Sequence, residues 1–272
     1  MDFLLTAMLE TLGVILLALF GCAAGVYCSK LPGGWWTIGY FGPFLMVALV
    51  AIPRWWPRVE IFPPFCWLLA NRNEFALMAF VSATLLTTPL SRLPQSRERL
   101  AVVAFMVFFI GLSSVSPFLL PGLQYRYFSN LKTTVDGNGG CKQSNDYSCG
   151  PAADVTALRA IGVAAEEGEL AIEAKTTALF GTAPDLVCGA IRQRYGIPCT
   201  LEHRDNLSEM AGHEPWIAIV RYNFNVDPYV AVLGVRDSEI TVGIPLLGRR
   251  HYTPDQFLPK WRKSAILFKE PD

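Results

Sequence analysis

The chain has 272 residues, of which 52% are hydrophobic and only 17% are charged. Soluble domains carry about 25% charged residues, so this composition favours a membrane protein. The 23 basic and 23 acidic residues give a formal net charge of zero, and no nucleic-acid partner is expected. The sequence has no Cys-x2-Cys pair and no glycine-rich phosphate loop, so we expect no metal and no other cofactor.

Four apolar segments in the first 122 residues predict an α-helical transmembrane region embedded in a lipid bilayer, because a span needs about 20 mostly apolar residues. The N-terminus has no basic stretch before its apolar run, so the first segment is interpreted as a retained span rather than a cleaved signal. Residues 63–70 are too short to cross and could form a re-entrant or interfacial piece. The predicted spans cover residues 3–27, 36–52, 75–90 and 100–120.

The distribution of arginines gives a weak orientation signal. The loop of residues 91–99 holds three arginines, whereas those on the opposite side of the predicted spans are spread over a longer loop. Positive loops favour the cytoplasm, so this count places both termini, and the domain that follows the spans, outside the cytoplasm.

The rest of the chain predicts a separate α+β domain. Residues 123–140 form a connector that ends in the turn-forming sequence Asp-Gly-Asn-Gly-Gly, and the domain covers residues 141–272. Helical spacing comes first and strand patterns follow, which is typical of helices packed on an antiparallel sheet. The helices are expected at 151–162, 166–176 and 183–195, and the strands at 216–220, 229–235, 239–242 and 265–268.

One short motif carries chemistry. Gln143 lies six residues before Cys149, and Gly-Pro-Ala-Ala follows the cysteine. A cysteine at the start of a helix lies near unpaired N–H groups, which favour the thiolate and predict a lowered pKa. The segment resembles the active-site start of the bacteriocin-processing, double-glycine-leader cysteine peptidases, which are papain-like domains. The resemblance covers about residues 141–268 and implies that Cys149 is the nucleophile and that Gln143 helps to form the oxyanion hole.

The sequence departs from the family pattern at the other two catalytic positions. The family has a histidine where this chain has Pro228, and an Asp-Pro pair where this chain has Ile244 and Pro245. Neither substitute can accept the thiol proton or protonate a leaving amine. His251 is the first candidate for a replacement base, ahead of the two other histidines at positions 203 and 213.

Three functions remain open at this point. The first is a degenerate peptidase domain that binds peptides or partner proteins. The second is an active cysteine peptidase, a hydrolase that cleaves peptide or leader substrates. The third is a structural subunit of a larger membrane complex. Gln143 could instead only tie down its loop, and Cys149 could be an inert thiol. In an extracytoplasmic domain Cys149 could pair with Cys141 in a disulfide, and Cys188 and Cys199 could also form disulfides. The resemblance further implies a bacterial protein of the inner membrane.

Overall fold

The computed structural model describes residues 2–221 and 227–268. Residues 269–272 of the predicted peptidase domain lie outside the described residues. The chain divides into two compact units, Met1–Leu123 and Gln124–Asp272.

The first unit is helical. Four helical stretches within the described residues are long and apolar enough to cross a membrane, which confirms the four predicted spans. These stretches are Phe3–Ser29, Trp35–Pro53, Phe65–Arg92 and Ser96–Ser129. The individual helices are α1 (Asp2–Ser29), α2 (Ile38–Trp55), α3 (Phe65–Leu69), α4 (Asn73–Thr87), α5 (Ser96–Ile110) and α6 (Ser116–Ser129), and a π-helical turn over Gly111–Val115 joins the last two.

Small residues let α1 and α4 approach closely. Gly21 and Gly25 are four residues apart on α1, the spacing that brings helix backbones together in membranes. A Cβ atom added at Gly25 would lie 1.9 Å from Thr87 Oγ1 and 2.6 Å from the Thr84 carbonyl oxygen. The Thr84 hydroxyl also donates a hydrogen bond to the Gly21 carbonyl at 3.2 Å. The helix pair therefore depends on the absence of side chains at these glycines.

A buried arginine compensates for a proline in α6. Pro121 has no N–H group, so the carbonyl of Pro117, one turn earlier, has no helical donor. The guanidinium of Arg72 donates to this carbonyl, and the Arg72 side chain is buried. In an apolar environment such a carbonyl needs a partner, and Arg72 supplies it.

The second unit is the predicted α+β domain, and its antiparallel sheet has six strands. The helices are α7 (Cys149–Ala160), α8 (Glu167–Glu173), α9 (Pro184–Tyr195) and α10 (Pro254–Phe257). The strands are β1 (Thr134–Val135), β2 (Cys141–Lys142), β3 (Cys199–His203), β4 (Trp216–Val220), β5 (Tyr229–Val235), β6 (Ile240–Ile244), β7 (Gly248–Tyr252) and β8 (Trp261–Phe268).

The strand order of the six-stranded sheet is β3-β8-β4-β5-β6-β7. Helices α7 to α9 and strands β4, β5, β6 and β8 agree with the predicted ones within a few residues. The two edge strands, β3 and β7, were not predicted.

The core of this unit lies between α7 and the sheet. Every residue of α7 from Gly150 to Leu158 is buried, and α7 packs mainly against β5. The inward faces of β4 and β5 complete the same apolar cluster. The start of α7 is therefore fixed against the start of β5, and this contact positions the motif cysteine.

The close α1–α4 contact gives a stability prediction. We expect Gly25→Leu to destabilise the membrane unit by about 1–3 kcal/mol, because an overpacked contact must force the helices apart. Gly13→Leu on the same helix is the matched control, since nothing lies within 4 Å of a Cβ placed there. Thermal unfolding midpoints in detergent should fall for Gly25→Leu only. Equal midpoints for the two variants would contradict the close packing.

Candidate active site

Cys149 is the first residue of α7 and is half-buried. The loop before it is held by Glu167, a fully buried residue in the first turn of α8. The Glu167 carboxylate accepts hydrogen bonds from the Ser144 amide at 2.9 Å and from the Ser144 hydroxyl at 2.6 Å. Charge-assisted hydrogen bonds of this kind are stronger than neutral ones, so the loop that precedes Cys149 has a defined conformation.

The surroundings of Cys149 do not lower the pKa of its thiol. Burial raises the pKa of the Cys149 thiol, and the nearby Asp154 acts in the same direction. Backbone hydrogen bonds from Tyr229, Gly150 and Cys149 itself lower it, but by less than burial raises it. The predicted lowering of this pKa was therefore wrong: the helix terminus is present, but desolvation of the thiolate outweighs it.

Gln143 is held within its own loop. Its backbone N–H donates to the Pro245 carbonyl at 3.1 Å, and its side-chain amide nitrogen donates to the Asn145 carbonyl at 2.7 Å. One of the two N–H groups of the side-chain amide therefore bonds the loop, as in the loop-tying alternative, and the same amide carries a second N–H group.

Tyr229 is the first residue of β5. It directly follows Pro228, the position at which the family pattern has its histidine. The Tyr229 side chain is buried, and its hydroxyl donates to the Thr182 carbonyl at 2.8 Å. Gly150 packs into this corner, where an added Cβ would lie 3.3 Å from Thr182 and 3.6 Å from the Tyr229 ring. Burial raises the pKa of Tyr229 well above its ordinary value, so the phenol stays neutral. The wall beside the cysteine is therefore a packed, uncharged surface.

Asp227 is committed to an ion pair. Arg262 Nε donates to its carboxylate at 2.7 Å, and both side chains are largely buried. Because Arg262 holds this carboxylate, Asp227 is poorly placed to orient an imidazole.

The three histidines lie away from Cys149. His251 is on β7, opposite Thr241, and its Nδ1 lies 3.0 Å from a Glu239 carboxylate oxygen. Thr241 in turn pairs with Gly234 on β5. Gly234 is five residues along β5 from Tyr229, so His251 is displaced from the start of β5 by roughly 17 Å along the strand direction, at about 3.3 Å per residue.

The other two histidines are no closer. His213 precedes β4 at the end of the sheet opposite Tyr229, since β4 pairs with β5 through Trp216 and Val232 there. His203 is on edge strand β3, three strands from β5, or about 14 Å across the sheet.

The sequence interpretation missed Asp154. This aspartate is on α7, its side chain is fully buried, and neither carboxylate oxygen has a hydrogen-bond partner among the described residues. Burial raises the pKa of its carboxyl well above the ordinary value. Asp154 lies four residues after Gly150, so both face the same side of the helix. The available signal was an acidic residue inside the apolar run Ala-Ala-Asp-Val.

One of the disulfides considered from the sequence is present, and it joins Cys188 on α9 to Cys199 on β3. The Cys141–Cys149 pair is not formed, and both of these thiols are free. Burial raises the pKa of Cys141 to about 12, so that thiol is inert. Among the described residues, no group of three or more His, Cys, Asp or Glu side chains could hold a metal ion.

The helix-borne cysteine, the preceding glutamine loop and the antiparallel sheet define a cysteine-peptidase-like domain, and comparisons with known proteins agree. The model of the peptidase C39 family matches residues 140–272. An uncharacterized protein of Methanothermobacter marburgensis is 36% identical over 131 residues, which are 48% of this chain and 88% of that protein. An uncharacterized protein of Methanothermobacter thermautotrophicus is 32% identical over 133 residues, covering 47% and 87%. Through this domain, the chain belongs to the peptidase C39 family.

Two solved structures are also similar. The peptidase domain of Streptococcus ComA, a bi-functional ABC transporter of a quorum-sensing pathway, has a TM-score of 0.44 and 18% identity, covering 52% of this chain and 98% of that one. A double-glycine-motif protease from an AMS/PCAT transporter, in complex with the leader peptide, has a TM-score of 0.43 and 19% identity, covering 52% and 93%.

The buried Asp154 carboxyl predicts a pH-dependent stability. Its folded-state pKa is raised above the unfolded value of about 3.9, so its contribution to stability is complete below about pH 4 and is lost as the pH rises toward the folded pKa. We expect Asp154→Asn to raise the free energy of unfolding by about 1–3 kcal/mol at pH 7 and to change it little at pH 4.

Urea or thermal unfolding of the full chain in detergent at both pH values measures this difference. Asp237→Asn, an exposed aspartate in the β5–β6 turn, is the control and should show no such pH dependence. A stability gain that is the same at pH 4 and pH 7 would contradict a protonated Asp154.

Proposed function

We propose that this chain is a membrane-anchored, catalytically inactive member of the peptidase C39 family whose domain binds peptides or partner proteins. The observation that carries the proposal is the start of β5, where Pro228 and Tyr229 stand beside Cys149 and supply no base. A cysteine peptidase needs an imidazole to hold the thiolate and to protonate the leaving amine. The three histidines lie elsewhere: His251 is on β7, His203 is on β3 and His213 is in the loop before β4.

The geometry around the cysteine supports the loss of chemistry and the retention of a surface. The thiol pKa is raised, and the Gln143 amide is used by its own loop. The fold around these residues is nevertheless complete, with α7 packed on β5 and the cysteine loop braced by Glu167. Cys149 is only partly buried at the start of this helix, so its side chain can still contact a bound peptide.

Alkylation of Cys149 tests the proposal. An unperturbed thiol titrates near pH ~8.5, so a raised pKa leaves at most about 3% thiolate at pH 7. We expect the rate of iodoacetamide modification of Cys149, followed by mass spectrometry of its peptide in the full chain, to rise only above pH ~8.5. We also expect Pro228→His combined with Ile244→Asp to move that profile to lower pH by supplying the family's base and its partner.

The outcomes separate the candidate functions. A wild-type profile a unit or more below pH ~8.5 would support an active peptidase and contradict the proposal. If Cys149→Ser abolishes the cellular function of a chain that still folds, the proposal is also wrong. Fixed-stoichiometry co-purification with other membrane proteins, together with no peptide binding by the isolated chain, would favour a structural subunit instead.

We further propose that the domain faces away from the cytoplasm. The arginine-rich loop of residues 91–99 favours this orientation. The Cys188–Cys199 disulfide supports it independently, because disulfides persist in oxidising compartments and are rare in the cytosol.

Fusion reporters test the orientation. Alkaline phosphatase attached after residue 272 should be active, whereas the same enzyme inserted after Gln95 should be inactive, because the phosphatase itself needs an oxidising compartment to fold. Cys188 and Cys199 should resist maleimide labelling until the chain is reduced. The reverse pattern of phosphatase activity would place the domain in the cytoplasm.

A further inference from the structure

One end of the membrane unit gathers four positively charged side chains. A Cβ atom added at Gly39, near the start of α2, would lie 2.4 Å from Oγ1 of Thr88, which directly follows α4, and 3.1 Å from the Cβ of Cys28, near the end of α1. These three helix ends therefore meet at one level, and α5 begins a few residues further along the chain, at Ser96. We call this level the basic end, and its exposed cations are Lys30, Arg92, Arg97 and Arg99.

Two of the four cations are held in place by neighbouring groups. The Arg92 guanidinium lies over the Trp36 ring, 4.5 Å from its centroid, and the Trp36 ring meets the Tyr40 ring edge-on. Arg99 donates to the Leu93 carbonyl oxygen from Nε at 2.9 Å and from Nη2 at 2.7 Å. A guanidinium has more N–H donors than these two bonds use, so Arg99 can serve a further acceptor. Side chains that are already ordered lose less freedom when they bind a ligand.

The positive charge of the basic end is not balanced by carboxylates. Glu98 is the only acidic residue in segments 28–40 and 88–99, which form this end. Within the part of the chain that the structure describes, none of the four cations forms an ion pair. Their charge is therefore available to an anion from outside the chain.

The basic end lies where the apolar spans stop. The predicted spans end at Tyr27 and Leu90 and begin at Trp36 and Leu100, each within a few residues of one of the cations. Trp36 and its neighbour Trp35, which is 67% exposed, belong to the residue type that is enriched where spans meet water. The anionic group that a bilayer offers at this depth is the phosphate of a lipid headgroup.

We propose that the basic end binds the headgroup of an anionic phospholipid. Charge complementarity at the level of the headgroups makes lipid the occupant, and basic pockets between membrane helices bind such headgroups. Arg92 and Arg99 are assigned to the phosphate, because the planar fork of a guanidinium matches two phosphate oxygens. Lys30 and Arg97 add positive charge, which favours a lipid of net negative charge over a zwitterionic one.

Native mass spectrometry of the full chain tests the proposal. The chain in detergent micelles receives equal amounts of phosphatidylglycerol and deuterium-labelled phosphatidylcholine with the same acyl chains, and each retained lipid is counted by its mass. We expect several-fold more phosphatidylglycerol than phosphatidylcholine on the wild-type chain. Arg92→Gln combined with Arg99→Gln should bring the two lipids to the same level. The matched control, Arg249→Gln combined with Arg250→Gln, removes the same charge from β7 and should keep the preference.

A second variant keeps the test valid if the double variant does not fold. The Arg97 side chain forms no hydrogen bond or ion pair within the described residues, so Arg97→Gln should leave the packing of the spans intact. We expect it to lower the preference for phosphatidylglycerol by a smaller factor than the double variant does. Thermal unfolding midpoints in the same detergent show which variants are folded.

Four results would overturn the proposal. The first is equal retention of the two lipids by the wild-type chain. The second is a preference that survives in folded Arg92→Gln/Arg99→Gln and Arg97→Gln variants, because the lipid would then bind elsewhere. The third is an equal loss in the β7 control, since the preference would then reflect total charge alone. The fourth is displacement of phosphatidylglycerol by an equal concentration of soluble glycerol phosphate, which would assign the site to a free phosphate. None of these results depends on whether Cys149 is reactive or whether the domain binds peptides.

Discussion

The contact between the first turn of α7 and the start of β5 sets the surroundings of Cys149. Gly150 packs beside Thr182 and the Tyr229 ring, and the Tyr229 hydroxyl donates a hydrogen bond to the Thr182 carbonyl. This contact positions Cys149 and partly buries its side chain. Two local effects then oppose each other, since the helix terminus and backbone N–H groups favour the thiolate and desolvation favours the thiol. Desolvation is the larger, so the thiol remains protonated.

The family pattern has its histidine at the start of β5, and the register of the sheet fixes which other residues lie near that position. A histidine at the start of β5 would stand beside the sulfur, whereas His251 is held on β7 by its pairing with Thr241 and by its contact with Glu239. Moving His251 to the cysteine would require breaking the β6–β7 ladder. Asp227, the acidic residue directly before Pro228, forms an ion pair with Arg262. His251 and Asp227 are therefore both held by other contacts in this fold.

The spans and the central strands could be predicted from sequence because burial on one or both faces leaves a clear apolar pattern. Strands β3 and β7 could not, since they are the edges of the sheet, and β7 reads Gly-Arg-Arg-His-Tyr. Charged residues on edge strands prevent unwanted pairing and hide the strand pattern. The motif identified Cys149 and Gln143, but the direction of an amide side chain and the extent of thiol burial are tertiary properties. Asp154 was missed for the same reason: its burial depends on residues distant in sequence.

The buried polar groups around Cys149 help to choose between a binding domain and a structural subunit. Asp154 has no hydrogen-bond partner among the described residues, and a buried carboxyl in that position costs about 1–3 kcal/mol. A domain that served only to pack against other subunits would be more stable with an apolar residue there. Near this carboxyl, the Tyr229 phenol and the Thr182 hydroxyl, which is bonded to Thr176 at 2.8 Å, form a group of polar contacts beside the half-buried Cys149. Polar groups arranged at the edge of a site can distinguish one ligand from another, and this supports the proposed recognition of a partner at the candidate site.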